Sequence, residues 1–168
     1  MNTSAASEVT RRVGISAADA HQAARISYRQ CDHWARRGWV RPSVDPGEGR
    51  SGRRVYAAAD IVRLDLLRHL AEARVNTATA GPVIAQFTVP AGDIRVLWGP
   101  LGGDPGLSVV PADAALARVE AGDGWVVYNP AQARVRAQVL MAQVGADDAE
   151  SAGAGMPAVR LRSVGRSA

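Results

Sequence analysis

A short helix with local signals at both ends lies near the start of this chain and restricts the folds open to it. Ser27 and Gln30 have the spacing of a capping box, in which each side chain accepts a hydrogen bond from the backbone amide of the other residue. Gly38 stands where a left-handed residue commonly ends a helix. A preceding helix is predicted to start at Ser16, with a break at residues 25–26. Two short helices joined by so tight a turn are typical of a helix-turn-helix unit.

The second helix separates apolar from basic side chains. At 100° per residue, Cys31, Trp34 and Ala35 fall on one side of it. Tyr28 lies at its exposed start, and the opposite side carries four long hydrogen-bond donors, Arg29, His33, Arg36 and Arg37. We therefore predict a helix that buries Trp34 and presents a basic face. An ordinary amphipathic surface helix is the alternative.

The next segment predicts a β-hairpin with basic flanks. Residues 39–44 and 53–56 are predicted as its strands, and the loop between them is rich in glycine. Four arginines flank its tip, Arg41, Arg50, Arg53 and Arg54. Because guanidinium groups bind phosphate oxygens bidentately, this hairpin is predicted to be a wing that contacts nucleic-acid backbone. A helix over residues 58–73, with Asp60 in its first turn and leucines on its apolar face, is predicted to close the core beneath.

Charge and composition exclude several kinds of site. All 20 basic residues are Arg, so a phosphate-binding-loop lysine, a Schiff-base enzyme and a lysine general base are excluded. With Cys31 as the single cysteine, an internal disulfide and a multi-cysteine zinc site are excluded too. The formal net charge of +4 is uneven: residues 1–75 carry +5 and the remainder −1. This indicates a nucleic-acid-binding part followed by a near-neutral module, with a plain solvated surface as the alternative.

The motifs of the first half together resemble the MerR family of winged-helix transcription regulators. The resemblance lies in the run from Ile26 to Pro42, the glycine-rich loop, Arg54-Val-Tyr56 and Asp60-Ile61-x-x-Leu64, and it spans roughly residues 15–73. It implies DNA binding, with the second helix in the major groove and the wing on flanking backbone. By position, Tyr28 and Arg29 would approach DNA from the start of that helix, Arg36 would lie further along it, and Arg54 would hold a phosphate. Tyr56 is better interpreted as a core residue.

The chain also departs from that family. Gly81-Pro82 predicts that any fourth helix is short or broken, so the long dimerisation helix typical of the family is missing. The cysteine-containing metal-binding loop of its metal sensors is missing as well, and metal sensing is therefore not implied.

The second half predicts a β-β-α-β-α module. Strands are expected at 93–98, 107–110 and 125–128, with a turn at 102–106. A helix is expected at 111–121, with Ala114, Leu116, Ala117 and Val119 apolar. The last helix should run from Asn129-Pro130 to about Val144, with an apolar side formed by Val135, Val139 and Leu140, although a strand at 133–139 is the alternative. Trp98, Trp125 and Tyr128 are interpreted as core, with a small-ligand pocket as the alternative.

The predicted organisation is α+β: a flexible arm (1–14), a MerR-like winged-helix domain (15–87), a small α/β module for dimerisation or for ligand or partner binding (88–144) and a disordered tail (145–168). No apolar run or signal segment is present, which predicts a cytoplasmic, nucleoid-associated bacterial protein without a membrane span.

The predicted function is sequence-specific transcription regulation on double-stranded DNA. RNA polymerase and a second copy, bound through the C-terminal module, are further candidate partners. The predicted DNA-binding residues are Tyr28, Arg29, His33, Arg36, Arg37, Arg41, Arg50, Arg53 and Arg54. Two alternatives stay open: an architectural protein of the excisionase type, and a protein adaptor, which Asp32 and Glu48 among the arginines would suit. No catalysis, cofactor or metal is expected, because His21, His33 and His69 are far apart in sequence and Cys31 faces inward.

Overall fold

The computed structural model describes residues 14–47, 52–101, 103–122 and 126–153. The elements of the first half are β1 (Ile15–Ser16), α1 (Ala17–Ala23), α2 (Tyr28–Arg36), β2 (Val55–Tyr56), α3 (Ala58–Glu72) and α4 (Thr77–Ala85). Those of the second half are β3 (Ile94–Leu101), β4 (Asp104–Pro111), a 3₁₀ turn (Ala112–Ala114), α5 (Ala115–Glu120), β5 (Val126–Tyr128) and α6 (Ala131–Gly153). The α+β class and the β-β-α-β-α order are thus confirmed. Within the described part, no helix is long and apolar enough to cross a membrane.

Local capping explains where most of these helices start. The Ser16 hydroxyl accepts from the Asp19 amide (3.3 Å), as predicted. The side chains of Asn76 and Asn129 accept from the amides two residues on, at 2.8 and 3.0 Å, before α4 and α6. Helix α4 has nine residues and contains Pro82, so the prediction of a short fourth helix is confirmed.

The predicted hairpin of residues 39–44 and 53–56 forms only near residues 44–45, where the Val44 and Asp45 amides donate to the Val55 carbonyl oxygen. Strand β2 pairs antiparallel with β1, matching Ile15 to Tyr56, and touches the opposite side of the loop through one bridge, Asp45 to Val55. Residues 39–44 form no strand. Trp39 and Val40 are buried where the chain bends after α2, and Pro42 has no amide to donate to a neighbouring strand.

The second sheet is antiparallel with the strand order β4-β3-β5. Strands β3 and β4 are longer than predicted, and the turn between them is tighter than residues 102–106. Leu101 already pairs with Asp104, so residues 104–106 belong to β4, and Gly103 supplies the positive φ of 104°.

The last helix, α6, is a helix and not the alternative strand, but the apolar sides predicted for α5 and α6 are only partly buried: Val119 and Leu140 pack against the core, and Leu116, Val135 and Val139 are exposed. In α6, Ala133 and Ala137 are buried, whereas Val135 and Val139 are 58% and 53% exposed. The alanines face inward because α6 packs on α3, and small side chains allow the two helices to approach closely. In α5, likewise, Ala115 is buried and Leu116 is exposed.

Helix α6 also continues past Val144 to Gly153, into the segment predicted to be a disordered tail. Residues 154–168 of that tail, and residues 1–13 of the predicted arm, lie outside the described residues.

One hydrophobic core draws residues from both halves of the chain. The α3 side chains Ile61, Leu64 and Leu67 belong to the same buried cluster as Trp98 and Tyr128. The latter two are therefore core residues, as interpreted, and Trp125 lies outside the described residues. The division of the chain at residue 87 stays a prediction.

Candidate nucleic-acid interface

Helix α2 is fixed at both ends as the sequence predicts. The Ser27 hydroxyl accepts from the Gln30 backbone amide (3.1 Å), and the side-chain oxygen of Gln30 accepts from the Ser27 backbone amide (2.9 Å). Gly38 follows the last turn with φ +73°, the left-handed conformation that glycine adopts without strain. Between α1 and α2, Arg25 also takes a positive φ of 57°, which turns the chain sharply.

The two faces of α2 are those predicted. Cys31 and Trp34 are buried, and the Cys31 thiol donates to the Tyr56 hydroxyl of β2 at 3.4 Å. Five of the residues predicted to meet DNA lie on this helix or at its end, and all five are exposed: Tyr28, Arg29, His33, Arg36 and Arg37. Helix α2 therefore rests on the core along one side and leaves its basic side open to solvent.

Trp39 organises the far end of this face, which the sequence did not reveal. The guanidinium of Arg37 lies 5.5 Å from the centre of the Trp39 ring, in cation–π geometry. The His33 ring meets the same indole edge-on, with 5.7 Å between centroids. Beneath the indole lies Gly81 of α4, where any side chain would collide with it. The tryptophan thus locates both exposed side chains relative to α4.

The base of the loop between α2 and β2 is held by Asp60 of α3. One of its carboxylate oxygens accepts from the Ser43 amide (2.8 Å), the Ser43 hydroxyl (2.7 Å) and the Ala57 amide (2.9 Å). The other accepts from Arg63 at 2.9 Å. Asp60 is fully buried, so it ties both ends of the predicted wing to α3. Its predicted place in the first turn of that helix is confirmed.

The wing arginines are only partly described. Arg41 and Arg53 are exposed, and Arg54 is half-buried. Gly47 donates its amide to Asp45 at 2.8 Å, which starts the loop. Arg50 and Glu48 lie outside the described residues, as does the predicted glycine-rich tip.

Asp32 joins α2 to the wing. Its carboxylate accepts from Arg54 at 2.7 Å and also from Arg36, one turn further along α2. The i,i+4 spacing of Asp32 and Arg36 was visible in the sequence, but the contact with Arg54, 22 residues away, was not. Two predicted DNA-binding arginines are therefore brought together on one carboxylate.

A cleft of about 580 Å³ opens between α1, α2 and the wing. Its walls include Ser16, Ala17, Tyr28, Asp32, Arg53 and Arg54. Tyr28 stands at the rim with its ring 5.8 Å from that of His21, edge to face. The contribution of α1 to this concave surface was not predicted from sequence.

The titratable residues considered for other chemistry have packing partners. Burial raises the pKa of the Cys31 thiol, an effect that its hydrogen bond to Tyr56 and the positive charge of Arg54 oppose. A ring nitrogen of His21 lies 3.1 Å from the Ile26 carbonyl oxygen, and one of His69 lies 3.2 Å from that of Val127. Among the described residues, no three His, Cys, Asp or Glu side chains are grouped as metal ligands.

Comparison with known proteins finds a family match over the first half of the chain. Residues 7–86, just under half of the chain, match the model of the MerR HTH family regulatory protein. Proteins described as uncharacterized HTH-type transcriptional regulators, from Mycobacterium bovis and Mycobacterium tuberculosis, are 36% identical over 64 residues. That alignment covers 38% of this chain and only 28% of each relative's length. Residues 7–86 belong to the MerR family of helix-turn-helix domains.

Proposed function

We propose that the protein is a sequence-specific DNA-binding regulator of transcription. The observation that carries this proposal is the open basic face of α2, which lies beside Arg53 and Arg54 of the wing within a MerR-type domain. A helix of this kind fits the major groove of B-DNA, whose base edges present a distinct pattern for each base pair.

The two groups of side chains are given different roles. Tyr28, Arg29 and His33 would read base edges, because they lie along the exposed side of α2 from its first turn. Phosphate contacts fix the register of the protein on DNA without reading its sequence. The remaining predicted residues would make these contacts: Arg36, Arg37, Arg41, Arg50, Arg53 and Arg54.

The test is selection of bound duplexes from a random DNA pool at about 0.15 M salt, because specificity has meaning only at a stated salt concentration. We expect one enriched motif. Arg29→Ala should relax the preference at one position by about 1–3 kcal/mol. Arg53→Ala should weaken binding to all sequences and reduce the salt slope by about one contact.

Arg118→Ala is the matched control, because Arg118 is an exposed arginine of α5, outside the matched residues. Arg118→Ala should change neither the base preference nor the salt slope. An unchanged motif in Arg29→Ala would contradict its assignment. Tight binding without any motif would favour an architectural role, and no binding would favour a protein adaptor.

The proposal also covers protein partners. RNA polymerase and a second copy of the chain are the candidates, and the exposed Val135 and Val139 of α6 supply apolar surface for such a contact. A two-fold symmetric motif in the selected DNA would indicate a dimer on the site. Light scattering of the chain with and without that duplex measures the number of protein copies directly.

A further inference from the structure

Asp32 is an acidic residue placed inside the basic face of α2. Its side chain is 21% exposed, and its carboxylate accepts hydrogen bonds from Arg36 of α2 and from Arg54 beside the wing. These arginines come from two different elements, and both are among the residues proposed to hold phosphates. A surface built only to attract DNA would not place a carboxylate between them.

The charge of Asp32 acts against phosphate in two ways. It occupies the donors of two guanidinium groups, and it repels a phosphate that approaches either of them. Non-specific DNA binding depends almost wholly on such phosphate contacts, whereas specific binding adds contacts to base edges. A carboxylate at this place therefore weakens non-specific binding more, in proportion, than binding to the correct site.

The contacts of Asp32 are also of a kind that can open. The Arg36 side chain is 70% exposed and that of Arg54 is 26% exposed, so both pairs are partly hydrated. Ion pairs of this kind contribute little to stability. Both arginines can therefore exchange the carboxylate for phosphate when other contacts hold the protein on its site.

We propose that Asp32 is a specificity-determining residue: an internal counter-charge that competes with DNA phosphates for Arg36 and Arg54. This inference rests on the proposed function. DNA binding alone does not require an acidic residue at this position, and the inference gives Asp32 a role there.

The experiment compares the full chain with its Asp32→Asn variant on two duplexes, one carrying the selected motif and one of unrelated sequence, over a series of salt concentrations. For the unrelated duplex, Asp32→Asn should bind about fivefold tighter at 0.15 M salt, the factor that one added phosphate contact corresponds to there. The salt slope should become steeper by about one to two contacts. Affinity for the selected motif should rise less, so the specificity ratio falls.

Three further variants separate this role from a structural one. Asp32→Glu keeps the charge and should keep the slope. Asp113→Asn makes the same change of charge on an exposed residue of the 3₁₀ turn and should not move it. In an Arg54→Ala background, the effect of Asp32→Asn should shrink, because one of the two competing guanidinium groups is gone.

Several outcomes would overturn the inference. An unchanged slope and unchanged non-specific affinity in Asp32→Asn would show that the carboxylate does not compete with phosphate. Weaker binding to both duplexes would show that it orders the arginines instead. If the wild-type protein selects a motif and either result follows, only this inference fails. If neither protein binds any duplex at low salt, the proposed function fails with it.

Discussion

Asp60 shows how much one buried side chain contributes to the shape of the interface. It is fully buried and accepts four hydrogen bonds, from Ser43, Ala57 and Arg63. Asp60→Ala leaves those donors without their acceptor, and we expect it to lower the free energy of unfolding by about 3 kcal/mol. Urea denaturation followed by circular dichroism measures the change. Asp93→Ala is the control, because its carboxylate also pairs with an arginine but is 78% exposed; it should cost under about 0.5 kcal/mol.

Cys31 gives a prediction that depends on pH. Burial raises the pKa of its thiol, so the neutral form is favoured in the folded protein. The resulting stabilisation of the folded state is complete below the pKa that the thiol has in the unfolded chain. It is lost as the pH rises through the higher pKa that the thiol has in the folded protein. We expect iodoacetamide at pH 8 to alkylate the native chain far more slowly than the urea-unfolded chain, measured by mass spectrometry. As the single cysteine, Cys31 accounts for all the label. Equal rates in the two states would contradict this account.

Helix ends and helix faces follow the sequence prediction where the signal is local. The capping box of Ser27 and Gln30, the cap at Ser16 and the positive φ at Gly38 act within a few residues, and each is found where predicted. The buried and basic faces of α2 followed from periodicity alone. This is why the outward direction of the candidate DNA-binding side chains was predictable.

Strand pairing and helix packing depart from the sequence prediction where a distant element decides them. The partner of β2 is β1, some 40 residues earlier, and nothing in residues 39–44 shows that this segment will turn inward. The buried side of α6 carries alanines because α3 lies close to it, although valine is the more hydrophobic residue. The link from Asp32 to Arg54 has the same origin: it exists only after α2 and the wing have packed together.

The contact between Trp39 and α4 provides a test at this scale. A Cβ atom at Gly81 would lie 2.3 Å from the Trp39 ring, so Gly81→Ala must displace the indole or α4. We expect a loss of about 1–3 kcal/mol from overpacking, larger than the gain of about 1 kcal/mol that alanine brings to a helix. Thermal denaturation measures the balance. The matched control is Gly145→Ala in α6, where a Cβ atom meets nothing within 4 Å and only the stabilising effect remains. Equal shifts for the two variants would refute the packing argument.

At the scale of the whole molecule, a buried polar network crosses between the two halves of the chain. Asp65 of α3 accepts from the Tyr128 hydroxyl of β5 (2.8 Å), from Arg136 of α6 (2.9 Å) and from Arg68. Arg136 also donates to the Ala23 carbonyl oxygen at the end of α1. Together with the shared hydrophobic core, this network predicts that the winged-helix part and the C-terminal module unfold as one cooperative unit.

Tyr128→Phe tests this prediction, because it removes one hydroxyl and leaves the packing of the ring. Asp65 keeps its two arginines, so the expected loss is about 1–2 kcal/mol. In a single unit, the slowest-exchanging amides of α3 and of β3 must lose the same free energy of opening, as read by native-state hydrogen exchange. Tyr28→Phe, the same change at an exposed ring, should alter the free energy of opening of neither α3 nor β3. A loss confined to β3 would show that the module opens independently. In that case α2 and the wing would remain on an intact core, and residue 87 would be a true domain boundary.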